Sequence, residues 1–260
     1  MKNTGVLVQK EFREHSRNFK LYWIPIVFII LGIVEPVTNH YLPQIMESVG
    51  NLPEGSDFMW PQFQGTDIFV SLMGQYQLIG ILIIILAFMG SISGERKSGT
   101  ATLLYVRPMS FVSYFFSKWI VINAIVLGSL WAGFLAASYY IRILFGPVAF
   151  GDILKFVGTY SLWIVFAVTV VLTLSASLST GAAAGLSILI LFVFQVLDSV
   201  IGAFWTVSPW KLSIYATYPL QGDSVPTGYW MSLTLTVVLI VLLFILGAYM
   251  SKRNASKTTV

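Results

Sequence analysis

The chain has 260 residues, of which 57% are hydrophobic and 10% charged, with a net charge of +4 and a mean hydropathy of +0.81. A soluble domain carries about 25% charged residues, so this composition excludes a soluble globular fold and points to a polytopic membrane protein. The absence of cysteine excludes disulfides and thiolate metal sites, and the two histidines, His15 and His40, lie too far apart in sequence to suggest a ligand cluster, so no metal is expected.

Crossing a hydrocarbon core of about 30 Å takes about 20 apolar residues as helix. Six runs qualify, at 20–36, 68–92, 114–140, 155–178, 183–206 and 229–250. The alternating ten-residue segments of an outer-membrane barrel are missing, and lipid otherwise admits only helices. The expected fold is therefore all-α, a single transmembrane domain of six helices over 1–260.

Ahead of the first run, residues 1–19 predict an interfacial helix. At 100° per residue Lys10, Arg13, Arg17 and Lys20 fall within about 80° of one another, with Val8, Phe12 and Phe19 gathered opposite. Such a helix lies on a lipid surface and turns its basic stripe toward headgroups or a cytosolic partner. The first run is short and carries Pro25, and Glu35 is expected to snorkel to water from its outer end. An outer loop is then predicted over 36–67, punctuated by Pro36, Pro43, Pro53 and Pro61.

The second and third runs flank a charged hairpin, 93–113, whose neighbourhood holds Arg96, Lys97, Arg107 and Lys118. Gly99 to Val106 predicts a two-turn helix presenting Leu103 and Leu104. Pro108 forbids its continuation, and Ser110 is placed to cap a new helix from Phe111. Between the fourth and fifth runs a tight turn is expected, with Gly181 and Gly185 at a small-xxx-small spacing that permits close helix approach. Asp198, near the outer end of the fifth run, is an acid within the membrane and by default a functional candidate. Residues 207–228, with Pro209 and Pro219, predict an outer interfacial segment, and 251–260 a basic tail.

With the N-terminus in the cytoplasm, twelve of the fifteen Lys and Arg face inward and only Arg142, Lys155 and Lys211 face outward. The positive-inside rule then puts both termini in the cytoplasm of a cell membrane. Membrane topology accounts for the basic excess, so nucleic acid is not an expected partner.

Glu95, Gly99-Thr100, Leu103-Leu104, Pro108 and Lys118 resemble the acidic, Gly-Thr, Leu-Leu, Pro and Lys pattern of the ABC-2 type permeases, the membrane subunits of bacterial ABC exporters. The N-terminal KEFREHSRNFK is similar to that family's Lys-Glu-x-x-Glu entry, and six spans at this length match its layout. Thr102 departs from the pattern, where an acid often follows Gly-Thr, and Met109-Ser110-Phe111 lacks the basic residue often found after Pro. The resemblance implies a permease that pairs with a second permease and contacts a cytosolic ATPase through the N-terminal helix (Lys10, Arg13, Arg17) and the hairpin (Glu95, Gly99, Thr100, Leu103, Leu104, Pro108). This sequence holds no Gly-x-x-x-x-Gly-Lys-Ser/Thr loop to cradle phosphates, so no cofactor is expected on this chain, and ATP and Mg belong to the partner. The chain is not itself expected to be an enzyme. The alternative is a secondary transporter or ion pathway using Asp198 and Glu35.

Overall fold

The computed structural model describes residues 2–48, 63–99 and 110–255, and among them the regular structure is entirely helical. In chain order the helices are α1 (Lys2–Arg17), α2 (Lys20–Ser48), α3 (Gly65–Gln75), α4 (Ile81–Phe88), α5 (Ser93–Lys97), α6 (Phe111–Leu144), α7 (Phe150–Ser177), α8 (Thr180–Ile188), α9 (Phe194–Ile201), α10 (Lys211–Gln221) and α11 (Thr227–Ala255). Single π turns, Tyr76–Gly80 and Leu189–Val193, join α3 to α4 and α8 to α9. Six stretches are long and apolar enough to cross a membrane: Lys20–Ile45, Gly65–Lys97, Phe111–Leu144, Phe150–Ser177, Thr180–Phe204 and Thr227–Asn254. The fourth is the most buried and the fifth the least, so the bundle is built around α7 with α6 beside it.

The first membrane helix is longer than the expected 20–36. It continues through Pro36 and Pro43 to Ser48, so 37–48 is helix rather than outer loop, and 49–62 lie outside the described residues. A proline inside a helix frees the carbonyl four residues earlier, at a cost of about 3 kcal/mol. Long packing of α2 along α6 and α3 offsets that cost. At the crossing of α2 and α6, Gly32 and Gly133 meet so closely that a Cβ on Gly32 would lie 2.3 Å from the Gly133 carbonyl oxygen. The Tyr76 hydroxyl locks the same crossing by donating to the Phe28 carbonyl at 2.7 Å. Around it Phe69, Tyr76, Phe134, Phe156 and Tyr160 pack edge to face or tilted at ring distances of 4.9–6.4 Å with Phe28, within the 4.5–7 Å range that aromatic quadrupoles favour.

A Cβ added to Gly181 or Gly185 would meet nothing within 4 Å, so that spacing makes no close approach inside this chain; α8 packs through Ala183 and Ser187 instead. The link from α7 to α8 is two residues, Leu178 and Ser179. The segment around Pro209 folds as α10, which buries Leu212, Tyr215, Ala216 and Leu220 and lies against α7.

Candidate functional site

At one end of the bundle, called here the near end, α1, α5, the start of α6 and the end of α7 converge. Positions Leu7, Glu11 and His15, spaced i, i+4 and i+8, form the buried stripe of α1. Of the predicted apolar side, Val8 packs partly against the core, whereas Phe12 is exposed and Phe19, also exposed, lies beyond the end of the helix. An apolar face turned outward suits a helix lying on lipid, while the packed face carries a carboxylate because α6 offers it a cation.

That cation is Lys118, about two turns into α6 and only 1% exposed. Its ammonium donates to both Glu11 carboxylate oxygens and to Glu95 Oε1, each at 3.0 Å, which uses all three of its protons. Glu95 Oε1 also accepts from Lys10 at 2.6 Å, and Glu95 Oε2 accepts from the Tyr114 hydroxyl at 2.5 Å. Lys10 reaches Glu11 at 3.0 Å and Glu14 at 3.3 Å. The outcome is a buried ionic joint in which α1 supplies Lys10 and Glu11, α5 supplies Glu95, and α6 supplies Tyr114 and Lys118. Removing one member of such a buried set costs about 3–5 kcal/mol, because its partner is left charged and unpaired.

Electrostatics follow from this packing. Burial disfavours the charged form of Lys10, but the Glu11 and Glu95 carboxylates outweigh it and raise the Lys10 pKa. His15, in the same helix, is pushed down to about 4, first by burial and then by the nearby Lys20. Both of its ring nitrogens lack a hydrogen-bond partner, and the ring stands edge-on to Phe88 at 5.6 Å. The carboxylates of Glu11, Glu14 and Glu95 come within 4.8 Å of one another; the Lys10 and Lys118 ammonium groups already sit on them, and we read the cluster as an ion-pair network rather than a metal centre.

Next to Glu95, Arg96 points the opposite way. Its guanidinium donates to the carbonyls of Ser175 (3.1 Å), Ala176 and Leu178, filling acceptors that the C-terminus of α7 leaves without intrahelical partners. Asn254 of α11 donates to the same Ala176 carbonyl at 2.9 Å. The Ser175 hydroxyl accepts from the Ile92 and Ser93 amides, and Ser93 Oγ pairs with Thr180 Oγ1 of α8 at 2.8 Å. The five residues of α5 thus touch α1, α6, α7 and α8.

Among the residues singled out from sequence, Lys10, Glu95 and Lys118 are brought together here. Gly99 follows α5 with φ +74°, a left-handed closing position that suits glycine. Arg13 and Arg17 stand on the exposed side of α1. Thr100, Leu103, Leu104 and Pro108, with the two-turn helix expected around them, lie outside the described residues. The third membrane helix begins at Phe111 as expected, with Ser110 extended before it, but the Ser110 side chain makes no capping hydrogen bond. Glu11 entered from sequence only within the Lys-Glu-x-x-Glu resemblance and Arg96 only as one of the hairpin's charges, whereas Tyr114 and Asn254 were not singled out.

Asp198 sits apart, at the far end of the bundle. It is 3% exposed, accepts from Trp205 Nε1 at 2.8 Å and Ser208 Oγ at 3.2 Å, and pairs with Lys211 at 3.4 Å. Gly202 makes room for that lysine, since a Cβ there would lie 2.5 Å from Lys211 Nζ. This geometry clamps the end of α9 to the start of α10.

Comparison with known proteins adds two findings. The family model described as ABC-2 family transporter protein matches residues 6–254. The uncharacterized transmembrane protein YxlG of Bacillus subtilis (strain 168) is 32% identical over 259 residues, covering 98% of this chain and 100% of that protein.

Proposed function

We propose that this chain, which belongs to the ABC-2 family of transporter proteins, is the permease subunit of an ATP-driven exporter. It is a multi-pass membrane transport component. In this reading it pairs with a second permease and with separate cytosolic ATPase subunits, which carry the ATP and Mg, and both of its termini face the cytoplasm. The basic surface of α1, with Arg13 and Arg17, and the segment after α5 (Gly99, Thr100, Leu103, Leu104, Pro108) receive the movement of the ATPase.

One observation carries the reading: Glu95 ties α5 to α1 and α6 in a buried ionic joint while its neighbour Arg96 grips the end of α7. A push on the segment next to α5 therefore reaches several membrane helices as a rigid-body displacement. Two hydrogen bonds to Asp198 Oδ1 and the ion pair with Lys211 favour a structural role for that acid over an ion pathway.

Affinity purification of the chain in mild detergent from its own host tests the proposal. An ATPase bearing a Gly-x-x-x-x-Gly-Lys-Ser/Thr loop is expected in near-equal amount. Its absence, with transport driven by an ion gradient instead, overturns the reading in favour of a secondary transporter.

A further inference from the structure

Glu35 does not stand at the end of the first membrane helix. With α2 running on to Ser48, it lies about 22 Å along the helix from Lys20, at 1.5 Å per residue, and so within a hydrocarbon core of about 30 Å counted from there. Its carboxylate is held by donors only: Ser71 Oγ of α3, and Asn39 Nδ2 one turn along α2 at 3.1 Å. One turn from Ser71 toward the near end, Gln75 Oε1 is buried with no hydrogen-bond partner.

Ser71 is exposed at the surface of the chain, and Glu35, Asn39 and Gln75 are half-buried. A carboxylate facing hydrocarbon would be costly. Glu35 offers acceptors only, and Gln75 Oε1 is a further acceptor without a partner. No Lys or Arg occurs anywhere in sequence between Lys20 and Arg96, a stretch that covers the first two membrane helices and the segment joining them. The formal charge on this face is the Glu35 carboxylate, which makes the local field negative.

We infer that the face formed by Glu35, Asn39, Ser71 and Gln75 lines a water-filled path through the membrane domain and selects solutes carrying a positive charge with N–H donors, such as a protonated amine. The inference deepens the permease reading by naming a substrate class, but its test does not require the ATPase, so failure of one is distinguishable from failure of the other.

The chain has no cysteine, which makes single cysteines reporters without background. Ser71→Cys and Gln75→Cys, introduced separately in the full chain in native membranes, are exposed to methanethiosulfonate reagents bearing either a trimethylammonium or a sulfonate group. Both cysteines are expected to react with water-borne reagent, whereas Val241→Cys on the exposed apolar side of α11 is not. Adding Glu35→Gln is expected to slow the cationic reagent about fourfold or more, the effect of one charge at about 5 Å under water-like screening, and to speed the anionic one. Unreactive Ser71→Cys and Gln75→Cys, or Val241→Cys reacting as fast as they do, would overturn the water-filled path. Reaction whose charge preference is unchanged by Glu35→Gln would overturn the selectivity.

Discussion

His15 shows how burial sets chemistry on a single residue. With its pKa at about 4 in the folded chain against an ordinary 6.5, the unfolded chain binds the extra proton across that window. Stability therefore rises with pH between 4 and 6.5, is fully present above 6.5, and is lost as pH falls toward 4. The contribution is about 3 kcal/mol. Lys20, Lys118 and Lys10 all oppose a charge there and Glu11 alone favours it. The expected result is that His15→Leu gains on the wild type as pH falls from 6.5 to 4, read as thermal midpoints in detergent; parallel profiles would contradict the assignment. Glu95 and Lys10 were legible from sequence as polar residues of the two elements flanking the joint. Lys118 and Glu11 stood in the family pattern as well, but their pairing and the part of Tyr114 were not legible, because which side of an amphipathic helix packs is decided only when the opposing helix is in place.

At the scale of elements, the crossing of α2 and α6 depends on two missing side chains. A Cβ on Gly133 would lie 2.1 Å from the Tyr76 hydroxyl and 2.7 Å from the Phe28 carbonyl oxygen. Tyr76 is itself fully buried and hydrogen-bonded at that point, so neither neighbour has room to give. Gly133→Ala is expected to cost about 1–3 kcal/mol by overpacking, seen as a lowered thermal midpoint. Gly128→Ala on the same helix, with nothing within 4 Å, is expected to be neutral or slightly stabilising. Existence and order of the six membrane helices were readable from run length and hydropathy alone. The length of α2 was not, since Pro36 and Pro43 argue locally for a loop, and tertiary packing along α6 keeps them helical. Glycine spacing misled in the same way: Gly181 and Gly185 have the pattern of a helix contact, while Gly32 and Gly133, which share no local motif, make the close one.

For the whole molecule, α5 is where separate parts of the chain are fastened. Arg96 and Asn254 grip one carbonyl, that of Ala176, from α5 and from α11. Arg96→Met is expected to cost about 3 kcal/mol, the scale of charge-assisted hydrogen bonds to a helix end. Combined with Asn254→Ala, the loss is expected to be non-additive because both act on the same acceptor; simple addition of the two thermal shifts would deny a shared anchorage. The shared carbonyl also orders events during synthesis. Lys118 emerges after both of its carboxylate partners, Glu11 and Glu95, so it can be neutralised as soon as it appears. Arg96 stands in the reverse order, because its acceptor at Ala176 is 80 residues further on. At about 5–20 residues per second that carbonyl follows the guanidinium by roughly 4–16 s, with the fourth membrane helix. The grip of α5 on the end of α7 is therefore a late event, closed from a position at the rim of the bundle that water and headgroups reach.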